Sequence, residues 1–272
     1  MSHTDDVDDP VESIHDALMA DDPERALTLA IRTLESPEGE DPVIRYLGGR
    51  ALLDLGRTPD AIAWLHRAVE LDPDDPEFRV ELAVALYRAC RFEEARLQAR
   101  DALAADGSFA DAHEIAAVLA EREGNFEEAE RGFARAAALD PERCPAPRRL
   151  SREEFEREIV VAGERLSPEF RKHLSEVVVT VEDVPSDEIL LDDHPPLDPE
   201  LCGLFVGTPL GERGAFSPGG ELPPRILLFQ RNLERFFPDP AELREQIAVT
   251  LHHELGHYLG LDEEELEAID LG

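Results

Sequence analysis

A period of 34 residues runs through the first half of the chain and leaves it few folds to choose from. Ala61, Ala95 and Ala129 fall one period apart, and so do Ala68, Ala102 and Ala136. Leu65, Ala99 and Phe133 share one position of the unit, and Asp60, Glu94 and Glu128 share another. Asp72-Pro73, Asp106-Gly107 and Asp140-Pro141 close the three units. Gly56 and Gly124 mark an internal turn where the middle unit has Cys90. A unit of this kind is a pair of helices. It cannot bury its apolar face alone, so successive pairs stack, and the small alanines let them approach closely. The period predicts helix pairs over 43–56 and 59–71, 77–90 and 93–105, and 111–124 and 127–139. A weaker pair is expected over 11–20 and 23–34, where Ala26 lies 35 residues before Ala61 instead of 34.

Together with Gly49 and Pro73, these positions resemble the tetratricopeptide repeat family. The resemblance implies a helical array over 11–141 whose concave face holds a protein or peptide partner. Arg79, Tyr87, Arg88 and His113 are candidates for lining that face, although sequence does not separate them from ordinary surface residues. The bland alternative is an array that packs on the rest of the chain or supports dimerisation. The oligomeric state stays open.

Residues 1–10 are acidic and polar and read as a disordered leader. Three prolines in the stretch 141–150 break helix and mark a stiff linker over 142–150. Ser151, with Glu154 three residues on, is a capping box that starts a new helix. The β-branched run Val177–Val181 and the segment Arg225–Phe229 read as strands, and Gly203–Val206 as a shorter one. Residues 184–202 read as a Pro- and Asp-rich loop, and Asn232–Phe236 as a short helical turn. Residues 241–259 read as one amphipathic helix, with Ile247, Leu251, Leu255 and Tyr258 in its apolar row.

That last helix carries His253-Glu254-x-x-His257, with the histidines off the apolar row. Residues four apart stack on one helical face, so two imidazoles can grip one cation, and zinc is the metal that suits them. Glu254 then stands where a general base is needed, as in zinc-dependent hydrolases. Gly260 ends the helix as a left-handed cap. The layout with a glutamate ligand on a separate helix well past the second histidine would run beyond Gly272. The layout H-E-x-x-H-x-x-G-x-x-H puts its glycine at Gly260 and its third ligand at Glu263, with Asp262 as the near competitor. Tyr258 can be an oxyanion donor or a core residue, and its place in the apolar row favours core. His173 and His194 lack ligand spacing.

The segments VEDVP at 181–185, CGLFVGTP at 202–209, PPRILLF at 223–229 and HHELGHYLGLDEEEL at 252–266 resemble the minimal zincin-like metallopeptidases, a family of small bacterial proteins. The resemblance covers about 152–272. It implies a compact α+β fold with a shallow zinc site, His253 and His257 as ligands and Glu254 as catalytic acid/base. It also implies the acid ten past His253 as third ligand, where family members often have Asp. The fold class expected for the whole is an all-α tetratricopeptide-repeat solenoid followed by a small α+β zincin-like domain over 151–272. The function expected is that of a zinc metallopeptidase whose repeats position a protein partner or substrate. The alternative is a non-enzymatic adaptor with a structural or vestigial zinc site.

Charge removes other classes. The formal net charge is −35, spread over both halves of the chain. A surface this acidic repels nucleic acid and anionic membranes. The run of apolar residues a membrane span needs is missing from the sequence. Three cysteines, odd in number and far apart, form no disulfide framework or zinc ribbon and fit a cytoplasmic setting.

Overall fold

Aspartate and proline set the helix starts of the first half. Asp9, Asp22, Asp41 and Asp75 each accept a first-turn backbone N–H, and each is followed by a proline, whose missing N–H costs nothing there. The structure is a computed structural model that describes residues 9–35, 40–192, 194–212 and 223–270. Its contacts divide the chain at Pro145–Ala146 into two units.

The first unit is four helical hairpins: α1 (Pro10–Met19) with α2 (Pro23–Leu34), α3 (Pro42–Asp54) with α4 (Thr58–Leu71), α5 (Pro76–Arg88) with α6 (Phe92–Ala105), and α7 (Ala110–Arg122) with α8 (Phe126–Leu139). The solenoid is as the period requires, with bounds shifted by one or two residues. Ala61, Ala95, Ala129, Ala68, Ala102 and Ala136 are all buried in its core. The expected leader lies outside the described residues up to position 8, and Pro10 already belongs to α1.

Each hairpin turns through one residue with positive φ: Asp21, Gly56, Cys90 and Gly124. An L side chain in that conformation costs about 1–2 kcal/mol, and Cys90 is held at φ 57°. Cys90→Gly should therefore raise unfolding stability by roughly 1 kcal/mol in denaturant titration. A loss of stability would mean that contacts of the cysteine outweigh the strain.

The second unit runs α9 (Arg152–Arg165), α10 (Pro168–Leu174), β1 (Val178–Glu182), α11 (Asp187–Asp192), β2 (Gly203–Val206), β3 (Arg225–Phe229), α12 (Gln230–Phe236), α13 (Pro240–Leu259) and α14 (Glu263–Asp270). The capping box at Ser151 and Glu154 is present. The strands form one sheet in the order β1-β3-β2. β1 lies parallel to β3, with Val179 opposite Ile226, and β2 is antiparallel to it, with Phe205 opposite Ile226. Ile226 and Leu228 pack with Leu243, Ile247, Leu251, Leu255 and Tyr258 of α13 to form the core. One segment departs from expectation, and a second has no assignment from sequence. The loop read over 184–202 contains α11, and the acidic stretch after Asp262 folds as α14.

Buried polar groups fix the approach to β2. Asn232 donates to the carbonyls of Pro199 and Leu201 at 2.9 and 2.7 Å. Glu234, 1% exposed, accepts from the Leu150 N–H, Gln230 and Arg149. A buried carboxylate needs that many partners to stay in place.

Candidate metal centre

The site is built on the last two turns of α13. Asp239 caps the helix through the N–H groups of Ala241 and Glu242, and its apolar row is buried under the sheet. That burial fixes the roll of the helix and so the direction of its other face. His253 and His257 lie on that face, half-buried, their rings 4.6 Å apart and nearly perpendicular. Their Nε2 atoms are 3.0 Å from each other.

Gly260, at φ 89°, stops the helix, and the Leu261 N–H folds back to the Gly256 carbonyl. The turn brings the Leu261 carbonyl to 3.3 Å from Nδ1 of His257. With Nδ1 donating there, Nε2 of His257 carries a lone pair aimed at the site.

The same turn starts α14. Asp262 accepts the Glu265 N–H at 2.9 Å, and the Glu265 carboxylate accepts the Asp262 N–H at 3.1 Å. Asp262 is thus engaged as a helix cap. Glu263, one residue on, places its carboxylate oxygens 3.5 Å from Nε2 of His253 and 3.4 Å from Nε2 of His257. Leu266, 1% exposed, holds α14 down on α13 over Gly256, where any Cβ would strike it. One donor atom from each of His253, His257 and Glu263 lies within 4.8 Å of the others. Two imidazole nitrogens and a carboxylate crowded this closely fit a divalent cation, which neutralises the acid and takes both lone pairs.

Glu254 faces the same cleft from the sheet side. It is 8% exposed, and its Oε2 accepts the Phe205 N–H at 2.7 Å. Antiparallel ladders alternate, so the Phe205 N–H points away from β3 and is free to make this bond. Gly203 makes the approach possible, since a Cβ there would strike Thr250 and crowd Glu254. Burial pushes the Glu254 pKa up to about 7, against the pull of His257 and the Phe205 N–H, with Glu263 adding to the rise. The cleft is about 500 Å³ and runs between β2, the end of α13 and the start of α14.

Residues 174–272 match the family model described as zincin-like metallopeptidase, and residues 49–89 and 80–143 match models of tetratricopeptide repeats. The chain joins a zincin-like metallopeptidase domain to tetratricopeptide repeats. Among curated proteins, the TPR repeat-containing thioredoxin TTL4 of Arabidopsis thaliana is 36% identical over 83 residues, or 30% of this chain. The chain spans 12% of that protein's length. Among solved structures, YrrB, a TPR protein with an unusual peptide-binding site, superposes at TM-score 0.43 and 24% identity, covering 49% of this chain and 68% of its own. TTC0263, a thermophilic TPR protein of Thermus thermophilus, gives 0.44 and 25%, covering 48% and 73%.

Other candidates in the zincin-like domain stand apart from the cleft. Tyr258 is fully buried, and its hydroxyl donates to Glu176 at 2.7 Å. His173 has its Nδ1 3.3 Å from the same glutamate. His252 stacks on Phe170 with ring centroids 4.2 Å apart, and exposed His194 precedes a cis proline. In the repeats, Tyr87 is 2% exposed and packs edge-on against Phe92, so it belongs to the core and not to a groove. Arg79 bonds the Pro73 carbonyl and Gln98, and His113 lies 3.1 Å from the Gly107 carbonyl.

Two contributors escape the sequence. The Phe205 N–H and the Leu261 carbonyl are backbone groups, which no side-chain motif reports. The spacing Asp262-x-x-Glu265 is the signal that marks α14.

Proposed function

We propose that the protein is a cytoplasmic zinc metallopeptidase, with His253, His257 and Glu263 as ligands and Glu254 as general base. The observation that carries this reading is the buried Glu254 carboxylate set beside three convergent donor atoms. A purely structural cation needs no such base. Bound there, zinc supplies a Lewis acid that polarises a carbonyl and acidifies water.

The chain's own residues do the rest. The Phe205 N–H holds Oε2 of Glu254, leaving Oε1 to take the proton of the attacking water. The Glu254 carboxylate accepts that proton and passes it to the departing amine nitrogen, returning to its starting charge. The Leu261 carbonyl keeps the His257 ring in the tautomer that can ligate. Among the described residues, β2 is the sheet edge beside the cleft, whereas β3 is paired on both sides. An extended substrate therefore lies along β2. The repeat array holds a protein or peptide partner and so selects what reaches the cleft.

Zinc-loaded protein should cleave an unfolded polypeptide such as reduced casein, and 1,10-phenanthroline should stop it. Cleavage that continues under chelation would overturn the reading.

A further inference from the structure

β2 separates two clefts. On one face is the site of His253 and Glu254. On the other is a cavity of about 620 Å³ between the sheet and α11. Leu204, Phe205 and Gly207 line both, so the clefts are continuous across the strand. The inner wall of the second is apolar, with Leu204, Leu227 and Ile189. Its charged lining is Glu182 from β1, Glu188 and Asp192 from α11, and Arg225 from β3. Glu188 and Asp192 are four apart on α11 and so share one face. Among the described residues, none of the three acids is paired with a cation in an ion pair. Among the described residues, three carboxylates against one guanidinium give this lining a net negative charge.

An extended chain laid along β2 sends alternate side chains to opposite faces of the sheet. If one residue faces Glu254, its neighbour crosses above Leu204 into the second cleft. The side chain that suits such a space has a long apolar stem and a cationic head. We propose that the cleft beneath α11 is the specificity pocket of the zincin-like domain and takes an arginine or lysine side chain of the peptide substrate. The proposal rests on the peptidase reading of the metal centre and adds the substrate class to it.

The test uses fluorescein-labelled alanine–glycine octapeptides carrying one Arg, Lys, norleucine or Glu. Their binding to the zinc-loaded full chain with Glu254→Gln is followed by anisotropy at low salt, and their cleavage by the wild type is followed by chromatography. Arg and Lys peptides should bind about tenfold tighter than norleucine, with Glu weakest. In a Glu188→Lys, Asp192→Lys double variant, changed at two exposed surface positions, the order should invert. Equal binding of Arg and norleucine, a preference that survives the double variant, or no binding by any peptide would overturn the pocket. A charge preference in binding without cleavage by the wild type would keep the pocket and remove the peptidase. Cleavage blind to charge would do the reverse.

Discussion

Glu254→Gln should leave zinc content at the wild-type level and lower the rate of peptide cleavage on the order of 10²–10⁴-fold, the range a positioned general base supplies. The substitution isolates one function. Glutamine keeps the volume of the buried side chain and still offers an oxygen to the Phe205 N–H. What it lacks is a site for the proton. Glu254 is not among the three donors that converge within 4.8 Å, so the metal should stay. Burying a neutral amide is also easier than burying a carboxylate, so thermal stability should hold or rise. Metal analysis, a melting curve and a cleavage assay on one preparation check all three. Equal cleavage by the two proteins would remove Glu254 from the chemistry.

Glu263→Ala should weaken zinc binding by more than about 100-fold, beyond the range that the loss of an outer-shell partner produces. The control is Asp262→Ala. Asp262 also lines the cleft, but its carboxylate is engaged as the cap that accepts the Glu265 N–H. Losing that cap costs about 1 kcal/mol of helix stability, and affinity should fall by no more than about fivefold. Competition titration against a chromophoric chelator separates the two. If Asp262→Ala loses more zinc than Glu263→Ala, the third ligand is Asp262 and the geometry at the start of α14 rearranges on metal binding.

The sequence made the repeats legible because their signal is redundant. Each small residue recurs at a fixed interval, and stacking enforces the same role each time, down to the positive-φ turn at Gly56, Cys90 and Gly124. The three strands were legible from β-branched and apolar runs, but their order was not. Which strand lies in the middle depends on non-local pairing, and the observed order β1-β3-β2 puts Arg225–Phe229 there and leaves Gly203–Val206 at an edge beside the cleft. The pairing of His253 with His257 follows from helical spacing, a local rule. The preference for Glu263 over Asp262 as proposed ligand came from the fold, because the start of α14 engages the Asp262 carboxylate as a cap. α11 was hidden by its setting, six residues of Asp, Glu, Ile and Leu between prolines and serines that read as loop.

The seat of Leu266 over Gly256 reaches further than packing. Two of the candidate ligands belong to a long helix clamped beneath the sheet, while the remaining one rides on a separate eight-residue segment. Undocking that segment removes a donor without disturbing the scaffold beneath. With the cation held as proposed, by His253, His257 and Glu263, its loading would be coupled to the docking of α14. On that reading, whatever grips or releases α14 would set how fast the ion comes and goes.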